Sequence, residues 1–257
     1  MFGFRKKKRE KKRSLPFPRE WDEILARNVP YFLHLPLEGQ DALRGHINVL
    51  LAEKNFEGCG GLEMTDEIRV TIAAYAAILM LNRDVDYYPG LASILVYPDA
   101  FVVPDEPPFD DVEVLQEEDV RLGESWTNGA IVLSWKSIAN SMRKRGAAHN
   151  VILHEFAHQV DFEDGITDGV PLLDDNAAHA EWTRVMTGAY EALWQDIEKN
   201  RNSWLDEYGA TDPAEFFAVL TETFFMRPHT LQRKHPDVYA VLREYYRQDP
   251  AAIMPKI

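Results

Sequence analysis

His154-Glu155-Phe156-Ala157-His158 sets two imidazoles four residues apart with a carboxylate beside the first. On a helix, positions i and i+4 share a face about 5–6 Å apart, so both rings can reach one ion. Neutral imidazole and carboxylate oxygen suit zinc, which in a catalytic site takes three protein ligands and leaves a fourth position to water. Glu155 lies one residue round the helix from His154 and faces that water instead of the ion. Its chemistry would be to take a proton as the water attacks a carbonyl, then to pass it to the leaving nitrogen. A pentapeptide of this kind also arises by chance, so its flanks matter. Val151, Ile152, Leu153, Phe156, Ala157 and Val160 supply the buried side of a helix. Asp161 falls three residues after His158 on the same face and is expected to orient an imidazole as an acceptor.

The third ligand must come from elsewhere, because the next histidine is His179. Asp212 to Glu222 (DPAEFFAVLTE) opens as a helix, with Asp212 as N-cap and Pro213 in the first turn. Glu215 and Glu222 are seven residues apart and share a face, so spacing alone makes either one the ligand and the other its support. A capping arrangement with Asp212 also accounts for Glu215. His149 lies five residues before His154, which rotates it off the metal face and marks it as structural.

These residues need elements to hold them. Gln40 to Phe56 has apolar residues at helical spacing and is ended by Gly58 to Gly61; Thr65 to Leu81 follows as a second, nearly apolar helix. The pattern then turns β-rich, with strands expected at Ala92 to Tyr97, Phe101 to Val103, Val112 to Leu115 and Ala130 to Trp135. An acidic loop from Asp105 to Asp111 lies between them. Helical patterns dominate from Ala147 onward. The order of elements predicts a mostly helical α+β fold with a small sheet. Residues 1–19 are expected to be a basic, disordered tail, and 20–257 one domain: a helical lobe over 20–85, then the sheet and the metal-site helices over 86–257.

Composition narrows the partners. The 257 residues carry 28 basic and 42 acidic side chains, a net charge of −14, which argues against direct nucleic-acid binding. Arg5 to Arg13 (RKKKREKKR) opposes that balance and leaves the remainder near −21. Such a block is expected to be solvated, and no membrane contact is expected of it. The longest apolar run, Val70 to Leu81, is too short for a bilayer core of about 30 Å. Cys59 is the single cysteine, so disulfides and thiolate metal sites are excluded, and a reducing cytoplasm is the expected compartment.

The HEFAH segment with Asp161, the DPAEFFAV segment, Leu95-Val96-Tyr97-Pro98, Phe101-Val102-Val103 and Gly123 to Trp135 (GESWTNGAIVLSW) together resemble the Mlc titration factor A family of zinc peptidases. The first two are also similar to the protease domain of anthrax lethal factor. The likeness covers most of residues 20–250 and leaves out the basic run. It implies a zincin-like fold with an HExxH active-site helix and one Zn2+ per chain. It makes Glu215 the third ligand beside His154 and His158, and Glu222 a supporting acid. Tyr208, seven residues before Glu215, then takes the place of a tyrosine that assists the transition state, where a phenol could donate to the oxyanion. Peptidases of the zincin type bind substrate as an added antiparallel strand, a task that falls here to Ile131, Val132, Leu133 and Ser134. The activity implied is hydrolysis of a peptide or protein substrate, aminopeptidase-like in mode. The alternative is a regulatory protein that titrates an Mlc-type transcriptional repressor, with peptidase activity secondary. Glu155 speaks for hydrolysis, since a purely structural metal needs no base beside it.

Overall fold

A computed structural model of the chain describes residues 2–83, 86–99, 129–143, 149–201 and 203–256. The expected strands at Phe101 to Val103 and Val112 to Leu115, and the acidic loop between them, lie outside these residues.

The N-terminal half is helical. Helices α2 (Arg19–Asn28), α3 (Pro30–His34), α4 (Leu37–Glu53) and α5 (Asp66–Met80) follow α1 (Phe2–Arg13). Thr65 caps α5 through its hydroxyl, which accepts from Ile68 N–H, and the helix is buried along nearly its whole length. The helix expected to reach Phe56 stops at Glu53. Lys54 turns extended, and Asn55–Gly58 forms strand β1. Spacing could not separate the two, because β1 has four residues and a mostly exposed pattern with no alternation to read.

Strand β1 pairs with β2 (Ser93–Tyr97), and β2 with β3 (Ala130–Ser134); both pairings are parallel, with Phe56 opposite Ile94 and Ile94 opposite Ile131. Among the described residues this is the whole sheet, in the order β1-β2-β3. The remaining helices are α6 (Trp135–Arg143), α7 (Val151–Asp161), α8 (Asn176–Glu198), α9 (Pro213–Met226), α10 (Pro228–Lys234), α11 (Pro236–Tyr246) and α12 (Pro250–Ile253). Helices with a small sheet fit the α+β class. A continuous core runs from Leu25 of α2 through Ile72 of α5, Ile131 of β3 and Phe156 of α7 to Phe217 of α9 and Tyr246 of α11. No helix among the described residues is long and apolar enough to cross a membrane.

The basic segment corrects an expectation. It is not a disordered tail: α1 lies along α4, held by counter-charges far away in the chain. Arg9 bonds Glu53 at 3.0 Å and also Asp86, with its guanidinium 4.8 Å from the Tyr87 ring centroid; Lys12 reaches Glu53 at 3.0 Å. A charge run reads as self-repelling only while its partners are unknown, and for Arg9 these lie 44 and 77 positions on. The contact predicts a pH effect. Arg13 Nη2 stands 3.4 Å from His46 Nε2, and the Tyr87 ring is also adjacent. Burial first, and Arg13 second, push the His46 imidazole down to about 4. With the folded value below the unfolded one, stability is complete above about pH 6.5 and falls as the pH drops toward 4. The loss is at most about 3 kcal/mol. Thermal melts across that window should show the slope, and His46→Gln should flatten it.

Candidate metal centre

Helix α7 carries the HEFAH segment through the core. It starts where Asn150 Oδ1 accepts from Ile152 N–H and Leu153 N–H, both at 3.1 Å, and it packs between α5 and α9. An Asn just before an apolar run is an N-cap signal that the sequence carried. Helix α9 starts in the same way, with Asp212 Oδ1 accepting from Ala214 N–H and Glu215 N–H at 2.8 and 2.9 Å and Pro213 in the first turn. The side chain of Glu215 is thereby left to point across at α7.

The geometry brings three side chains to one point. His154 Nε2 and His158 Nε2 are 3.3 Å apart, and Glu215 oxygens lie 2.9 Å from the first and 3.4 Å from the second. One ligand atom from each lies within 4.8 Å of the others. Four ligands around zinc at about 2.0–2.1 Å stand about 3.3–3.4 Å from one another, so the spacing fits such an ion. The donor set agrees. His154 Nδ1 lies 2.8 Å from Glu222 Oε1, a partner that suits an Nδ1–H and so the neutral tautomer whose Nε2 can bind an ion. Glu215 Oε2 is buried and makes no hydrogen bond of good geometry in spite of its close approach. Three donor atoms that converge in this way can hold a cation once it displaces the proton of His154 Nε2.

Burial lowers both imidazoles, but the acceptor carboxylates of Glu215 and Glu222 hold His154 well above its ordinary value, whereas His158 stays below. Burial pushes Glu215 up, and the bonds to His154 and His158 outweigh it, leaving the carboxyl at about 2. Burial drives Glu155 up to about 7, with His154 opposing and Glu215 and Glu222 adding to the rise. A carboxyl poised near neutrality beside a cation site is suited to moving a proton.

The expected supporting residues divide. Glu222 is 2% exposed, and its Oε2 bonds Asn150 N–H and lies 3.0 Å from His149 Nδ1, so one carboxylate gathers two histidines and the start of α7. His149 is thus off the metal point, yet it reaches the site through Glu222, a link over 73 positions that no spacing rule signals. Asp161 departs from its expected task. Its Oδ2 accepts from Gly169 N–H at 2.8 Å, and its Oδ1 is buried without a partner. Tyr208, on a short 3-10 turn over Glu207–Ala210, places its ring centroid 5.9 Å from that of His154 at 45° and is 40% exposed. Burial and the neighbouring Glu215 raise its hydroxyl pKa, so it stays protonated as a donor. In β3, Ile131 and Leu133 point into the core at 2% exposure each, while Val132 and Ser134 are half-buried on the other face. Ser134 Oγ also accepts from Ser137 N–H at 3.2 Å at the start of α6.

Gly169 fastens the centre together. Its N–H goes to Asp161 of α7, and its carbonyl accepts from Trp182 Nε1 of α8 at 3.1 Å. Its φ is +78°, and a Cβ there would stand 2.3 Å from the Pro213 carbonyl oxygen at the start of α9. Gly169→Ala is therefore expected to cost about 2 kcal/mol or more and to loosen the Glu215 end of the site. Denaturant unfolding and metal titration of the variant would check both effects.

Comparison with known proteins agrees with this picture. The family model described as glucose-regulated metallo-peptidase M90 matches residues 4–247. The chain belongs to this family. An uncharacterised protein of Synechocystis is 42% identical over 236 residues, covering 91% of this chain and 86% of its own. The Mlc titration factor A of Klebsiella pneumoniae is 33% identical over 90% of this chain and 87% of its own. That of Serratia proteamaculans is 33% identical over 93% and 90%. The M90 match takes in most of α1, the basic segment that the resemblance of single motifs leaves out, together with the metal-site helices.

Proposed function

We infer that this chain is a zinc-dependent peptidase with a zincin-like site, in which His154, His158 and Glu215 hold one Zn2+ per chain. The observation that carries the reading is the convergence of two imidazole nitrogens and a carboxylate oxygen, 2.9–3.4 Å apart, with Glu155 buried beside them. Zinc held there would polarise the scissile carbonyl and make an attacking water more acidic. Glu155 takes the proton from that water on its carboxylate and returns it to the leaving nitrogen. Glu222 fixes the His154 ring through Nδ1, and Tyr208 offers its hydroxyl to the oxyanion as charge develops. The outer edge of β3, which no other described strand pairs, would take the substrate backbone as an added strand, with Val132 and Ser134 beside it. Aminopeptidase-like cleavage remains the expected mode.

The experiment is to purify the protein, measure bound zinc, and assay a peptide library with and without chelator. About one zinc per chain with chelator-sensitive cleavage supports the reading; absence of metal overturns the ligand set. Tyr208→Phe should keep the zinc and lower kcat about 10²-fold with little change in KM, since only the transition state needs that donor. A second reading is favoured by the name Mlc titration factor A on relatives 33% identical to this chain. In it the protein captures an Mlc-type repressor, and zinc bound without cleavage of any peptide would bring it forward.

A further inference from the structure

A cavity of about 840 Å³ opens between the start of α8, the C-terminal part of α11 and the chain after α5. No residue of the metal centre lines it. The volume is one that holds a small organic molecule. Leu172, Leu173, Trp182 and Val241 give it an apolar wall. Arg83 lines it with a side chain 9% exposed, stacked 4.1 Å from the Tyr245 ring centroid, and its Nη2 donates to Glu163, also in the lining, at 3.4 Å. Arg83 Nη1 and the Tyr245 hydroxyl are both buried without a hydrogen-bond partner. Two neighbouring donors without an acceptor cost free energy until one arrives, and a guanidinium with a spare edge is shaped for a carboxylate.

The rim carries the opposite charge. Asp86, Asp174, Asp175, Glu181 and Glu244 border the cavity, with the single basic rim residue Arg247 among them. Asp86, Asp174 and Glu181 are engaged by Arg9, Arg247 and Arg184, and Asp175 caps α8. A simple anion would satisfy Arg83 but meet a rim of acids; a simple cation would suit the rim and leave the two donors unmet. A molecule with a carboxylate at one end, an ammonium at the other and an apolar side chain between them answers all three features. We propose that this cavity binds a short peptide through its free C-terminal carboxylate, which Arg83 and the Tyr245 hydroxyl receive. Its amino groups face Glu244 and the neighbouring acids, and an apolar terminal side chain lies along the Leu172–Leu173 wall.

The test is calorimetric titration of the dipeptide Lys-Leu into the full-length Glu155→Gln protein, in which the peptide is not consumed. The readout is binding, so it does not depend on the peptidase reading. Lys-Leu should bind, and its C-terminal amide should bind at least about tenfold more weakly, as should N-acetyl-leucine, which keeps the carboxylate but has no ammonium. Arg83→Gln should remove binding. Because Arg83 is buried, Ala178→Phe provides a second variant: Ala178 is half-exposed on α8 and lines the cavity, so a ring there fills the space without touching Arg83. Loss of binding in a normally melting Ala178→Phe protein supports the proposal. Unchanged binding in that variant would place the peptide elsewhere, the metal centre included, and overturn it. Equal binding of acid and amide, or inorganic phosphate binding as well as Lys-Leu, would do the same.

Discussion

Replacing Glu155 by glutamine should cut kcat/KM on peptides by about 10²–10⁴-fold while bound zinc stays near one per chain. The substitution keeps the shape of a side chain that is 2% exposed, so packing around α7 is preserved. What it removes is a carboxyl that burial holds at about 7, able to take and return a proton at neutral pH. A neutral amide also relieves the repulsion from Glu215 and Glu222, so the melting temperature should hold or rise. Metal analysis and steady-state kinetics on the same preparation check the claim. Retained activity would remove Glu155 as the base, and lost metal would move it among the ligands.

Glu222→Gln should weaken zinc binding by about 10–100-fold and lower stability by about 2–3 kcal/mol. Glu222 sits on α9 about two turns past Glu215 and touches no proposed metal position itself. Its two oxygens meet His154 Nδ1 at 2.8 Å, His149 Nδ1 at 3.0 Å and the Asn150 N–H. Glutamine has one acceptor oxygen and turns an N–H2 toward a partner that also donates. The His154 ring then loses its fixed orientation, and a buried donor is left unmet. Competition against a chelator measures the affinity, and denaturant unfolding measures the stability. A double change with His149→Ala separates the two: His149 is largely exposed, so its removal alone should cost little of either. If Glu222→Gln binds zinc as the parent does, the carboxylate has no part in orienting His154.

The site was largely legible because its parts are local. The i, i+4 histidines and the Asp212-Pro213 start of α9 are short-range signals that act on their own helices. Glu215 and Glu222 were readable as a pair on one face. What spacing could not divide was their labour, which depends on where His154 turns each of its nitrogens. Asp161 shows the same limit from the other side, since its position on the helix was read correctly but its partner is Gly169, in a loop. Strand β1 was hidden because four edge residues carry no periodicity, and α1 because Glu53 and Asp86, which neutralise it, belong to other elements. Parallel pairing of the sheet was likewise a tertiary matter.

Helix α1 also gives the molecule a pronounced polarity of charge. Arg9 and Lys12 are tied to acids, but Arg5, Lys7, Lys8 and Lys11 are exposed on a chain whose remaining charge is near −21. In dilute buffer the cationic helix of one molecule is drawn to the acidic surface of the next, and salt at about 0.15 M, with a screening length of about 8 Å, dissolves that attraction. The protein can therefore adhere to cation exchangers although its net charge is negative, and its apparent size in solution should shrink as salt is added.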